Sequence, residues 1–135
     1  MILPSEGNSG KTQIIIPMER TQNTSGSTTV TVTARSGSAT ADVDFESDVE
    51  NVVFSNGDDG AILSVNIIGD EIYEQDETFF LDFSVDEADI NTGTLEVTIK
   101  NDDPLPTINF SRAFQVTTEE NSDVPVIVEL SNPTE

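Results

Sequence analysis

The sequence predicts an all-β fold, two sheets of short, mainly antiparallel strands packed face to face as a sandwich. Three observations predict it. Apolar and polar residues alternate with period two along almost the whole chain, the mark of strands buried on one face. Clusters of Gly, Asn, Asp, Ser and Pro interrupt these runs at short intervals. No stretch repeats its apolar residues with the helical period.

Taken in order, "KTQIIIPME" places Ile14, Ile16 and Met18 on one face, and Pro17, which has no N–H to donate, suits an edge strand or a bulge. "STTVTVTA" sets Val30 and Val32 against Thr29, Thr31 and Thr33, a β-branched run that disfavours helix. "NVVF" contributes Val52 and Phe54, and "AILSVNII" contributes Leu63, Val65 and Ile67. "ETFFLDFSV" aligns Phe79, Leu81, Phe83 and Val85 opposite Asp82 and Ser84, and "TLEVTIK" aligns Leu95, Val97 and Ile99. The turn clusters between them are "NTSGS", "SNGDDG", "DINTG" and "NDDPLP". "SNGDDG" reads as a hairpin-like turn, with Asp58 and Asp59 as turn formers. Such a sandwich of about a hundred residues ends near Asp103.

After "NDDPLP" the pattern restarts. Ile108 and Phe110, Phe114 and Val116, then Val126, Val128 and Leu130 read as two or three further strands. Ile14, Ile16 and Met18 echo Val126, Val128 and Leu130 at a separation of 112 residues, and Glu6 and Glu119 precede the two runs. The domain expectation is a sandwich over 1–103, a linker over 104–106, and the incomplete N-terminal strands of a second, similar repeat over 107–135. Only "MILPS" precedes Glu6, whereas "TINFSRAFQVT" precedes Glu119, so the first strand of the first unit is expected to be largely truncated. The segment 104–106 spans only about 10 Å, too little to carry 107–118 back along a strand of roughly 17–20 Å. Residues 107–135 are therefore expected to pair with another copy of the chain by strand exchange.

Composition narrows the chemistry. With neither cysteine nor histidine, the chain has no disulfide, thiolate or imidazole chemistry and no zinc cluster of the usual ligand types. A formal charge of -21 repels nucleic acid and anionic membranes and attracts cations. No run approaches the roughly 18 apolar residues of a membrane span, and Met1 opens onto "ILPSEG" without a signal-peptide pattern. The expectation is a soluble excerpt of a longer protein, with no nucleic-acid partner and no membrane insertion.

Within "GDEIYEQDETFF" (69–80), five carboxylates stand just before a buried strand. They read either as a solvated loop or as a site for a divalent cation. Neither an EF-hand loop nor a glycine-rich phosphate loop is present. A two-carboxylate glycosidase needs aromatics that stack on sugar, and this chain has one Tyr and no Trp, so no enzymatic activity is expected.

At "SGSATADVDF" (36–45), "IIGDEIYEQDETFFLDF" (67–83) and "EVTIKNDD" (96–103) the chain resembles the Calx-β family. These modules are seven-stranded immunoglobulin-like sandwiches of sodium–calcium exchangers, adhesion receptors and repeat-bearing surface proteins, and residues 4–103 match their pattern in order and spacing. The resemblance implies one to three Ca2+ ions at one pole, held by Glu6, Asp44, Asp70, Glu74, Glu77, Asp102 and Asp103, with the carbonyl of Ile72 as a backbone ligand. Glu71 is a further carboxylate, at a position that points outward in the family. Gly69 and Asn101 stand where the strongest binders carry Asp, which implies fewer ions or weaker binding. Calcium suits flexible carboxylate loops better than magnesium does, and the expected affinity is roughly 10⁻⁶–10⁻³ M.

The function expected from these readings is a calcium-binding structural module of a repeat-bearing extracellular or cell-surface protein. It would rigidify the array beside neighbouring repeats and support adhesion. The alternatives are a calcium-independent spacer or adhesin domain and a regulatory calcium sensor, the last of which would be cytosolic.

Overall fold

The computed structural model describes residues 2–86, 88–110 and 125–131. Among the described residues eight strands follow one another: β1 (Gly10–Glu19), β2 (Thr28–Ser36), β3 (Val52–Phe54), β4 (Gly60–Gly69), β5 (Glu77–Val85), β6 (Thr94–Ile99), β7 (Ile108–Phe110) and β8 (Val128–Leu130). One sheet has the order β3-β2-β5-β6, and β1 and β4 form a second. All pairings between these strands are antiparallel. With no helix among the described residues, the all-β sandwich expected from the alternation is the fold observed.

Alternation decides what each strand buries. Ile14 and Ile16 of β1 and Leu63, Val65 and Ile67 of β4 face Val30, Val32, Phe79, Leu81, Val97 and Ile99 of the other sheet. Phe45, from the loop after β2, enters the same core and stacks on Phe79 with ring centroids 4.2 Å apart. Both rings are fully buried, so truncating either costs about 3–5 kcal/mol. Phe45 also bridges Ile67, and its neighbours extend that contact through hydrogen bonds from Ile68 N–H to Asp44 O and from Glu46 N–H to Asn66 O. Hydrophobic burial of one residue thereby fixes the acidic residue beside it.

Pro17 pairs in register with Ile62 and makes no bulge, and no strand among the described residues pairs with the other edge of β1, where its missing N–H is harmless. The short segment before Glu6 is not idle. Ile2 and Ser5 form parallel bridges to Val97 and Lys100 at the free edge of β6, with hydrogen bonds from Thr98 N–H to Ile2 O and Lys100 N–H to Pro4 O. "SNGDDG" differs from the expected hairpin: it carries the chain from β3 in one sheet to β4 in the other. Asp58 is a turn former all the same, since its carboxylate accepts the Ser55 N–H, whereas Asp59 offers its carbonyl to the Arg20 N–H.

β7 and β8 pair antiparallel, Ile108 with Leu130 and Phe110 with Val128. The expected strand residues Phe114 and Val116, and Glu119, lie outside the described residues.

Candidate metal centre

Four loops meet at one end of the sandwich. Gly10 pairs with Gly69 where β1 begins and β4 ends, and Glu77 pairs with Ile99 where β5 begins and β6 ends. The Glu6 N–H donates to Lys100 O, and the Gly7 N–H donates to the Asp102 carboxylate at 3.1 Å, which ties the two sheets together at this pole.

The carboxylates gather there in two triads. Glu6, Asp102 and Asp103 form one, and Asp44, Glu74 and Glu77 form the other; within each, one oxygen per residue lies within 4.8 Å of the others. Calcium takes oxygen ligands at about 2.3–2.6 Å, so two ligands of one ion stand no more than about 5 Å apart. Both triads meet that requirement.

The interior of the pole is set by hydrogen bonds. Asp44 is buried, and its carboxylate accepts the Thr40 N–H at 2.6 Å. Asp103 is only 5% exposed; one of its oxygens accepts from Asn8 Nδ2 at 2.8 Å, while the other, Oδ2, is buried without a hydrogen-bond partner. A buried carboxylate oxygen without a donor is costly, and a bound cation would relieve it. Glu6 is 4% exposed. Burial, and after it the charges of Asp70, Asp103, Asp102 and Asp44, push its carboxyl from 4.5 up to about 7. The basic side chains nearby are committed elsewhere, Lys11 to Glu46 and Lys100 to Asp76.

The model of the Calx-beta domain family matches residues 5–103. The chain belongs to the Calx-β domain family. Solved structures similar to this module include the calcium binding domain CBD12 of CALX1.1 and CBD12 from CALX1.2, each with a TM-score of 0.69 and 22% identity over 86% of this chain and 48% of that one. The chain thus spans about half the length of those two. The apo-form Calx CBD1 domain is also similar, with a TM-score of 0.67 and 22% identity over 76% of this chain and 90% of that one. No curated protein matches the chain.

Of the seven side chains expected at the Calx-β pole, six fall in the two triads, and Asp70 falls in neither. Its Oδ1 instead accepts the Ile72 N–H at 2.7 Å, closing the turn that carries Ile72, and its charge acts on Glu6. Glu71 is exposed, as expected of its position. The glycine at 69 has a physical reason: a Cβ there would run into the carbonyl oxygens of Gly7 and Glu6, the latter at 2.7 Å. The absent carboxylate makes room for the backbone that delivers Glu6. Sequence reasoning missed Asn8 and Thr40 as donors to the site and missed the use made of Asn101.

Proposed function

We propose that this Calx-β module binds calcium at the acidic pole, one ion in each triad, and that binding orders the loops from which residues 104–110 continue. The observation that carries the reading is the buried Asp103 Oδ2, which lacks a hydrogen-bond partner beside Glu6 and Asp102. The family match and the likeness in fold to domains described as calcium binding support it. Ile72 O serves as a backbone ligand, and Asp70 acts through its charge and its turn.

In the whole protein the module serves as a structural repeat on the cell surface or outside the cell. Residues 107–135 begin the next repeat, and β7 with β8 supplies its first pair. Calcium stiffens the junction and supports adhesion by the array. A regulatory sensor, acting in the cytosol, is the second reading. It is favoured by the gathering of six carboxylates at one pole, whose mutual repulsion a bound cation would relieve.

Calorimetric titration tests the proposal. Wild type is expected to take two calcium ions per chain, Glu74→Ala to lose one, and magnesium to give neither. Affinity near 10⁻⁶ M with a large structural change favours the sensor, and affinity near 10⁻³ M favours the structural repeat.

A further inference from the structure

We infer that Asn101 is a positioning residue that ties the two carboxylate triads into one site, a role that a carboxylate at this position cannot fill. The inference rests on the calcium reading above and goes beyond it: Asn101 brings no carboxylate to the pole, and both polar atoms of its side chain meet backbone groups. Its Oδ1 accepts the Glu74 N–H at 3.2 Å, and its Nδ2 donates to Asp103 O at 2.9 Å. The first contact holds the loop between β4 and β5, which carries Glu74 of one triad. The second holds the backbone of Asp103 in the other. Its own N–H donates to Asp76 Oδ1 at 3.2 Å, so a third bond anchors the linker residue to the loop that leads into Glu77.

The chemistry selects an amide. One contact needs an acceptor and the other a donor, and Asn offers both on one short, planar group. The two partners fix which atom is which, because a backbone N–H must meet oxygen and a carbonyl must meet NH₂. Aspartate at neutral pH accepts only. It would keep the Glu74 contact and turn an anionic oxygen toward the Asp103 carbonyl. It would also add a charge to a pole where Glu6 already responds to four neighbouring carboxylates. The carboxylate absent at 101 is therefore exchanged for geometry: the backbone of one residue in each triad, Glu74 and Asp103, is held in place before an ion arrives.

The test uses the full chain with Asn101→Asp and Asn101→Ala, read by calcium calorimetry and by amide hydrogen exchange in calcium-free buffer. The Glu74 amide is expected to exchange about tenfold faster in Asn101→Ala, the effect of losing one hydrogen bond. Asn101→Asp is expected to bind calcium about tenfold more weakly in both steps despite its extra charge. An unchanged Glu74 amide overturns the inference, and so does tighter binding or an additional ion in Asn101→Asp. Wild type without any calcium signal overturns the calcium reading instead, and the exchange of the Glu74 amide then decides by itself whether Asn101 links the two loops.

Discussion

The two ends of the sandwich solve opposite electrostatic problems. At the end of β1 away from the acidic pole, Arg20 follows Glu19 and reaches into a ring of backbone carbonyls. Its guanidinium donates to Thr24 O at 2.6 Å, to Gly26 O, Ser55 O and Asp58 O, and to Thr28 Oγ1, and it lies 5.6 Å from the centre of the buried Phe54 ring. Its backbone N–H donates to Asp59 O. That end carries its own cation, covalently attached and present in every molecule. The acidic end gathers six carboxylates in two triads and leaves Asp103 Oδ2 without a partner. The difference teaches where regulation is possible: stability at the Arg20 end is built into the chain, whereas on the proposed reading stability at the acidic end depends on what the solvent supplies.

Substitutions can break this contrast. The largest effect is expected from Gly69→Asp, which restores the acid of stronger family binders but drives a Cβ into the Glu6–Gly7 backbone. It should lower stability by about 2–3 kcal/mol, as overpacking does, and calorimetry should detect no added ion. Arg20→Met keeps much of the apolar stem and removes the donors. It should cost about 2 kcal/mol, and the loss should be the same with and without calcium, measured by denaturant unfolding in both conditions.

A smaller effect concerns pH. Because the folded-state value of Glu6 is raised from 4.5 to about 7, its contribution to the calcium-free protein is fully present below 4.5 and is lost as pH rises through 7. Glu6→Gln should flatten the fall in unfolding midpoint between those values. Asp42, Glu46, Asp76 and Asp82 act in the opposite sense. Hydrogen bonds from Ser47, Lys11, Lys100 and Arg35 respectively hold them below their ordinary values, so their contribution is lost only in stronger acid.

Strands β1 to β6 were legible in the sequence because one physical cause, burial of one face, writes a period of two into each of them. Ile14, Ile16, Leu63, Val65, Ile67, Phe79, Leu81, Val97 and Ile99 all fall where alternation placed them. The acidic stretch was legible as a cluster, yet its internal division was not. Asp70 and Glu74 look alike in sequence, and only the turn closed onto the Ile72 N–H separates them. Gly69 and Asn8 act on partners that are distant in the chain, Asn8 on Asp103 95 residues away. Such contacts leave no periodic trace. Asn101 was visible as a departure from the family pattern, and its capacity to donate and accept at once was the available signal. Arg20 could not be read at all, since carbonyl acceptors belong to every residue.

The central claim, that an external cation completes the acidic end as Arg20 completes the other, is tested most directly by thermal unfolding of wild type and Glu74→Ala in calcium and in magnesium at matched ionic strength. Calcium at roughly a hundred times its dissociation constant should stabilise wild type by about 2.7 kcal/mol per site, a rise of about 4–8 °C in Tm for each kcal/mol in a domain of this size. Magnesium should not reproduce the rise, and Glu74→Ala should lose part of it. Superimposable wild-type curves in the two salts at that calcium concentration would contradict the account.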